Sequence, residues 1–515
     1  MSAADLILKN AHLVTADPRQ PTAELVAIKD GKISLVGDSQ NLELARGAKT
    51  RVIDCQGKTV VPGFNDAHCH IFSFLRKLLS IDLSPSSASS ISDIKATIRR
   101  KAETTPPGQW ITGTDYNDFY LAEKRHPNRW DIDEVAPRHP AVLCHRSLHA
   151  CVLNSLALSL AGITGETEEP PGGQIARDLK NGEPNGLLFE MLGYIREKVL
   201  PPLSEAELAN GIALANRHYL SQGITSLQDA TVLNDFSRWQ KFRRLKDSGK
   251  LKSRLYIMSG IEALSQFQQV GLAFGSGDSQ LRLGGIKITP TEAPGQLYPP
   301  QPELNRQVLD AHRAGFQLAI HAIQPSTLEA AIIALEYTHS QSPQAGRRHR
   351  IEHCSECPPP LLKRLKQLRT TVATQPPFLY YNSERYLATV PTDRLPWLYR
   401  IKSLLNSGLI VAGSSDSPIV PDNPLVGIYA AVTRQAESGQ QLLPKECIPA
   451  SQALAMYTIN AAYASFEEGI KGSITQGKLA DMVLLSEDPT KTPSEQIKDI
   501  KVEMTIIGGE VAWEA

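Results

Sequence analysis

Eight short, largely apolar runs separated by helical stretches constrain the fold of this chain more than any other feature of its sequence. In chain order they are TVVPGFNDAH, GITSLQDA, RLYIMSG, GGIKIT, FQLAIHA, RIEHC, TVATQP and LIVAGSSD. Such runs are typical of parallel strands that are covered by helices on both faces. The repeat predicts an α/β fold in the form of a (β/α)₈ TIM-like barrel, with a doubly wound sheet as the competing architecture.

Both ends of the chain carry a different pattern, in which polar and apolar residues alternate over short runs. Asp30-Gly31 and Gln56-Gly57 separate such runs near the N-terminus, and Gly508-Gly509 separates two runs near the C-terminus. Turn pairs between alternating runs predict hairpins. We therefore expect a small discontinuous β-sandwich domain that is formed by both termini, with its first part at residues 1–62 and its second part at residues 470–515.

The interval between the first two predicted barrel strands is too long for one strand–helix unit. It runs from near residue 66 to near residue 223 and contains the Pro- and Gly-rich stretch EEPPGGQIARDLKNGEPNGLL. Loops of this length are uncommon without a functional reason. We expect the barrel to occupy residues 63–469 and to carry an inserted lid or substrate-binding subdomain over about residues 71–220.

The charge balance and the cysteine content argue against several classes of protein. Lys and Arg together number 54, as do Asp and Glu, so the formal net charge is zero. A neutral chain lacks the electrostatic attraction that nucleic acids and anionic membranes require. Seven cysteines favour a reducing compartment, and the N-terminus lacks the pattern of a signal peptide. We expect a cytoplasmic protein without a nucleic-acid or membrane partner.

Polar residues with metal-binding chemistry lie at or near the C-terminal ends of these runs. His68 and His70 are two residues apart, so a strand places both imidazoles on one face. The pair alone is equally consistent with two hydrogen-bonded surface histidines. Four further residues interrupt or end separate runs, namely Lys287, His321, His353 and Asp416. Because strand ends converge at one mouth of a barrel, and buried charges are costly unless paired or metal-bound, the set predicts a metal site.

Seven segments in a consistent order give the chain a resemblance to the amidohydrolase superfamily, specifically to the branch called amidohydrolase family 3. This branch includes N-substituted formamide deformylases. The segments are ADLILKNAHLVTAD, PGFNDAHCH, HACVLNSLALSLAGIT, PPGGQIARDLKNGEPNGLLFE, RHRIEHC, AGSSDSP and GSITQGKLADMVLL. They are spread over nearly the whole chain.

The resemblance implies a role for each candidate ligand. His68 and His70 would bind the more buried of two zinc ions, with Asp416 as a further ligand. His321 and His353 would bind the second ion. Lys287 would react with carbon dioxide to form a carbamate that bridges both ions. Other first-row divalent metals are alternatives to zinc.

The same resemblance implies a metal-dependent amidohydrolase that acts on carbon–nitrogen bonds other than peptide bonds. Its substrates would be small amides, such as N-formyl or N-acyl amines and cyclic amides. A metal-bound hydroxide would attack them, with Asp416 as the proton acceptor. A deaminase of an amino-substituted heterocycle, and a catalytically silent barrel that only binds ligands, stay open as alternatives. The sequence also leaves open whether the chain forms a homodimer.

Two positions carry further expectations. His149 matches a family position in the insert that faces the substrate, and the alternative is a packing or helix-capping histidine. Glu352 precedes His353, so strand alternation predicts that its side chain points away from His353 and either supports the site or pairs with a basic residue. The stretches KITPTE and HAIQP, which begin at Lys287 and His321, depart from the family pattern. Substrate identity therefore does not transfer from relatives.

Overall fold

Eight strands form one parallel sheet, and their order across the sheet is their order in the chain. The computed structural model describes residues 3–170, 172–293 and 296–515. The eight strands are Phe64–Cys69, Ile224–Asp229, Arg254–Gly260, Leu281–Ile288, Leu318–Ala322, Arg350–His353, Thr371–Thr374 and Ile410–Gly413. Six of them lie within a predicted run, and the first and fourth strands overlap their runs but extend beyond them, to Cys69 and from Leu281. The barrel prediction is confirmed, and the doubly wound alternative is wrong because the strand order never reverses.

The sheet closes where its first strand meets the chain beyond its last strand. The Asp416 backbone N–H donates to the His68 carbonyl oxygen at 2.8 Å, and the His70 N–H donates to the Ser417 carbonyl oxygen at 2.8 Å. The buried Asp66 carboxylate accepts hydrogen bonds from the backbone N–H and the hydroxyl of Ser415. The closure therefore lies at the carboxyl ends of the strands, among the residues that the sequence singles out.

Helices connect the barrel strands. Those of ten or more residues that follow the second strand are Phe236–Asp247, Gln301–Arg313, Pro325–Gln341, Pro359–Leu368, Pro377–Thr389 and Pro424–Thr433. The last four begin at a proline, where the missing N–H leaves no helical hydrogen bond unmade. In Pro325–Gln341, Leu328, Ile332 and Leu335 recur every three or four residues and are buried, which is the pattern of a helix that packs on a core. Shorter helices complete the connections, namely Leu264–Gln269, Ile401–Asn406, Ala450–Met456 and Ile459–Ala464.

Apart from the two-stranded ribbon of Thr291–Ala293 and Gln296–Tyr298 and the sheet of the inserted segment, two smaller sheets of the described residues accompany the barrel, and one of them combines strands from both ends of the chain. Its order is Glu510–Glu514, Val502–Ile507, Met482–Leu485, Thr59–Pro62, His12–Val14 and Thr22–Ala23. The other sheet has the order Lys32–Gly37, Leu25–Lys29, Leu6–Lys9 and Arg51–Asp54. Side chains of both sheets, among them Leu8, Val26, Leu13 and Met482, share one buried apolar cluster. The sandwich domain predicted from the termini stays a prediction.

Two of the three predicted hairpins are confirmed. Asp30-Gly31 joins two antiparallel strands with positive φ angles of 50° and 72°, and Gly508-Gly509 does so with 58° and 78°, as tight hairpin turns require. The hairpin predicted at Gln56-Gly57 is wrong. The strand before it pairs with Leu6–Lys9 and the strand after it pairs with His12–Val14, so the turn carries the chain from one sheet to the other.

The chain divides into two compact units, of which the first comprises Met1–His70 with Asn216–Ala515 and the second comprises Ile71–Ala215. The second unit has its own mixed sheet, in the order Gln174–Arg177, Pro184–Phe189, Ala150–Leu153, Ala141–His145, Ile111–Tyr116 and Ile81–Asp82. The longest helices that lie wholly within it are Ile71–Leu79 and Ile91–Thr104. The lid role predicted for this segment stays a prediction. Among the described residues, no helix has the length and apolar character that a bilayer crossing requires.

A buried ion pair joins the third barrel strand to the terminal strands. The Arg254 guanidinium donates to both Asp481 carboxylate oxygens, at 2.6 and 2.9 Å. Asp481 also accepts the Gly508 backbone N–H at 2.8 Å. Both side chains of the pair are at least 96% buried, so neither charge has water as a substitute partner.

We predict that Asp481→Ala lowers the free energy of unfolding by about 3–5 kcal/mol, because it leaves the Arg254 charge buried without a partner. Urea unfolding followed by circular dichroism measures the loss. Glu303→Ala is the control, since it breaks an ion pair with Arg306 that is open to water and is therefore screened. Equal midpoints for the two variants would contradict the prediction.

Candidate metal centre

All six predicted metal-site residues lie at the carboxyl ends of barrel strands. His68 is the penultimate residue of the first strand, and His70 follows that strand directly. Lys287 and His321 are penultimate in the fourth and fifth strands. His353 ends the sixth strand and Asp416 lies three residues beyond the eighth. The fold thus places at one mouth residues that are up to 348 positions apart in the sequence.

Three of these residues have the spacing of metal ligands. Among the described residues, His68, His70 and Asp416 each offer a ligand atom, and these atoms lie within 4.8 Å of one another. The Asp416 Oδ1 atom is 3.5 Å from His68 Nε2 and 3.1 Å from His70 Nε2. Two ligands about 2.0–2.1 Å from a tetrahedral zinc ion lie about 3.3 Å apart. The spacing therefore fits a divalent metal ion.

Hydrogen bonds on the far side of two imidazoles fix which ring nitrogen is free to bind a metal. The Glu352 carboxylate accepts from His68 Nδ1, so His68 Nε2 keeps its lone pair. Gln375 Oε1 lies 2.9 Å from His353 Nδ1, and the Gln375 amide nitrogen donates to Ser414, which orients that oxygen toward His353. A ligating histidine requires such a partner on its other nitrogen.

Three buried polar atoms of the candidate ligands have no hydrogen-bond partner within the described part of the chain. They are His68 Nε2, Lys287 Nζ and Asp416 Oδ1. Orphaned polar atoms are rare in protein interiors because each costs the free energy of its lost hydration. A bound cation would satisfy the nitrogen lone pair and the carboxylate oxygen together. The donor set of imidazoles and a carboxylate is the one that zinc and similar metals prefer.

His321 and His353 form the second histidine pair that the sequence predicts. Their ring centroids are 4.4 Å apart, and His353 lies 4.8 Å from the His68 ring. His353 Nδ1 is also 3.9 Å from Asp416 Oδ2. The two histidine pairs and Asp416 therefore form one contiguous cluster, although His321 and His353 lie outside the tight three-residue group.

Burial keeps the imidazoles of His68 and His353 neutral, and contacts with the histidines keep the Asp416 carboxylate charged. Burial lowers the pKa of His353 to about 4 and holds the pKa of His68 well below its usual value. Burial alone would raise the pKa of Asp416, but the contacts with His70 and the other imidazoles outweigh it and lower that pKa. Neutral imidazole and ionised carboxylate are the forms that bind metals.

Lys287 is the one candidate ligand that cannot bind a metal as an ordinary ammonium group. Its side chain is buried. Burial lowers the pKa of Lys287 to about 8, against the charges of Glu352 and Asp416, which raise it.

A buried network below the cluster contains residues whose importance the sequence analysis missed. The Arg350 guanidinium donates to both oxygens of Glu352, to Gln228 Oε1 and to the Ala67 carbonyl oxygen. Glu352 therefore pairs with a basic residue, as predicted, and it also orients His68. The alternating pattern RHRIEHC placed Arg350 and Glu352 on one strand face, which was the available signal for their pairing.

The predicted separation of Glu352 from His353 holds only in part. Both side chains contact His68, one through a hydrogen bond and the other through ring packing. His353 has a φ angle of 70°. This left-handed conformation ends the strand and turns the side chain out of the alternation, as non-glycine residues at functional sites often do. Sequence alternation does not reveal such a turn.

His149 belongs to the second unit and lies outside this cluster of barrel residues. Its Nδ1 atom is 2.8 Å from Glu190 Oε1, and about half of each side chain is exposed. The same unit holds a more deeply buried histidine, His145, whose Nε2 atom is 3.1 Å from Asp118 Oδ1. The substrate role predicted for His149 stays a prediction.

Comparisons with known proteins agree with this geometry. The sequence is 29% identical to an N-substituted formamide deformylase of Arthrobacter pascens, over 99% of this chain and 98% of the relative. It is 28% identical to the putative amidohydrolase YtcJ of Bacillus subtilis (strain 168), over 95% of this chain and 96% of the relative. The fold matches the crystal structure of an uncharacterized metal-dependent hydrolase from Pyrococcus horikoshii OT3. That match has a TM-score of 0.76 and 25% identity, and it covers 95% of this chain and 99% of the other.

A family model described as "Amidohydrolase family" matches residues 51–512. This span includes every barrel strand and all six residues of the candidate metal centre. The chain therefore belongs to the amidohydrolase family and is a hydrolase.

Proposed function

We propose that this protein hydrolyses carbon–nitrogen bonds of small amides, such as N-formyl or N-acyl amines and cyclic amides. The observation that carries the proposal is the group of His68, His70 and Asp416, whose ligand atoms converge at the mouth of the barrel. The similarity to a formamide deformylase over nearly the whole of both chains supports the choice of substrate class.

The residues of the cluster divide into two sets for two divalent ions. His68, His70 and Asp416 would hold one ion, for which zinc is the proposed metal, and His321 with His353 would hold the other. When bound, such ions polarise a carbonyl group and lower the pKa of water. Asp416 accepts the proton of the attacking water and passes it to the leaving nitrogen, which departs as an amine.

Lys287 completes the centre as a carbamate. Its amine nitrogen attacks carbon dioxide, a nitrogen–carbon bond forms and one proton leaves. The product carries two ligand oxygens that share one negative charge, in place of an ammonium that has no lone pair. This proposal is supported by the burial of Lys287 and by its Nζ atom, which has no hydrogen-bond partner among the described residues.

The proposal predicts that the zinc-loaded protein, prepared with bicarbonate, releases an amine and a carboxylate or formate from members of a panel of small amides. Asp416→Asn keeps the shape of the side chain but removes the proton acceptor, so we expect turnover to fall by roughly 10²-fold or more. Steady-state assays with product detection measure both results.

Asp310→Asn is the matched control, because Asp310 is exposed on the helix Gln301–Arg313. We expect this variant to keep the wild-type turnover. Near-normal turnover of Asp416→Asn would remove this residue from the mechanism. Ammonia released from amino-heterocycles without amide cleavage would favour the deaminase alternative. The absence of turnover on both substrate classes would favour a silent binding protein.

We also propose that His149 contributes to substrate recognition while the barrel performs the chemistry. His149→Ala should then raise KM or change substrate preference and leave the metal content unchanged, because positioning groups act through orientation. Glu190→Gln, which removes the charged partner of His149, should shift KM in the same direction by a smaller factor. Kinetics and elemental analysis of the same samples test this. Loss of metal would contradict the assignment, as would unchanged kinetics.

A further inference from the structure

A serine, a histidine and an aspartate of the second unit lie close together, and none of them belongs to the candidate metal centre. The Ser147 hydroxyl lies 2.7 Å from His145 Nδ1. On the other side of the same imidazole, His145 Nε2 lies 3.1 Å from Asp118 Oδ1. The three groups stand in the order hydroxyl, imidazole and carboxylate, which is the order that an activated serine nucleophile requires.

A backbone hydrogen bond fixes which nitrogen of His145 can act as a base. The Ser147 backbone N–H donates to His145 Nδ1 at 3.1 Å, so this nitrogen carries a lone pair. The Ser147 oxygen accepts the His149 backbone N–H at 3.2 Å, and the hydroxyl keeps its own proton to donate to Nδ1. In a neutral ring, Nε2 then carries the proton and turns it toward Asp118. This tautomer can take the hydroxyl proton at Nδ1.

The imidazole of His145 is held inside the second unit. Its side chain is 96% buried, and its ring packs against those of Tyr116 and His126, with centroids 5.2 and 5.6 Å away. Within the described part of the chain, His145 Nε2 makes no aligned hydrogen bond, although Asp118 lies beside it. Catalytic hydrogen bonds are commonly aligned only when substrate is bound. A positive charge on the ring would strengthen its attraction to this carboxylate.

A second histidine contacts the carboxylate from its other side. His126 Nε2 lies 3.8 Å from Asp118 Oδ2, and the Tyr116 hydroxyl lies 3.0 Å from His126 Nδ1. Tyr116 ends the strand Ile111–Tyr116 and is buried, so it anchors this imidazole in the sheet. Asp118 therefore lies between two imidazoles, of which one faces Ser147.

Ser147 lies on a strained turn between the strands Ala141–His145 and Ala150–Leu153. Unlike His145, it is partly exposed. The next residue, Leu148, has a φ angle of 59°, a left-handed value that costs a bulky residue free energy and persists only when the surroundings enforce it. The nucleophilic serine of many hydrolases lies on a similarly strained turn. The turn thus places an accessible serine next to a buried base.

We propose that Ser147 is the nucleophile of a second hydrolytic site, which cleaves small carboxylic esters, with His145 as its general base and Asp118 as a positioning residue. The Ser147 oxygen attacks the ester carbonyl carbon while its proton moves to His145 Nδ1. The bond from this carbon to the alcohol oxygen breaks, and the departing alcohol takes the proton from Nδ1. A water molecule that gives a proton to Nδ1 then cleaves the acyl group from Ser147, which releases the acid and restores the hydroxyl.

Hydrolysis of 4-nitrophenyl acetate by the full-length chain tests this proposal. In excess EDTA, which removes divalent metals from the barrel, the wild-type chain should still hydrolyse the ester, because the proposed step uses only the three side chains. Ser147→Ala should lower this rate by roughly 10²-fold or more. Ser159→Ala is the matched control, because Ser159 is exposed in the same unit and lies outside the group. Melting temperatures identify any variant that has failed to fold.

Covalent labelling with a fluorophosphonate separates an activated serine from a serine with a structural role. Peptide mass spectrometry should find the phosphonyl group on Ser147 and not on Ser159. His145→Gln and Asp118→Asn keep the Ser147 hydroxyl but impair its base, so each should slow the labelling of Ser147 by about tenfold or more. An unlabelled Ser147 in the wild-type chain would overturn the inference. Ester hydrolysis that stops in EDTA, or that Ser147→Ala retains in full, would also overturn it.

Discussion

The backbone hydrogen bond from Asp416 to the His68 carbonyl oxygen is the interaction on which the candidate metal centre depends. It closes the barrel between the first strand and the chain beyond the eighth. Three of the proposed ligands, His68, His70 and Asp416, thus take part in the closure. Asp66 reinforces it by accepting hydrogen bonds from the backbone of both His68 and Ser415. Ligands carried by a closed sheet are held more precisely than ligands on loops.

The same arrangement explains why the chain keeps a full ion pair inside the barrel. Arg350 and Glu352 are fully buried. Removing such a pair from water costs free energy, which only good geometry and further hydrogen bonds offset. Gln228 and the Ala67 carbonyl oxygen supply those bonds to the guanidinium. The ion pair orients His68, since the Glu352 carboxylate accepts the Nδ1 proton of His68 and leaves His68 Nε2 to face Asp416.

The sequence predicts the barrel because the strands are buried on both faces and are therefore continuous apolar runs. It predicts the candidate ligands because a histidine, lysine or aspartate at the end of such a run needs a buried partner. It does not predict that His353 leaves the strand in a left-handed conformation, since no residue pattern marks that turn. The hydrogen bond between the Ser355 and Tyr399 hydroxyls is equally hidden, because these residues are 44 positions apart and meet only through the fold.

The metal content of the purified chain tests the central claim most directly. After reconstitution with zinc in the presence of bicarbonate, elemental analysis should find two divalent ions per chain, and His68→Ala should bind fewer. One ion per wild-type chain would contradict the bridging role proposed for Lys287. Wild-type protein that retains no divalent metal would contradict the account of the strand ends as a metal centre.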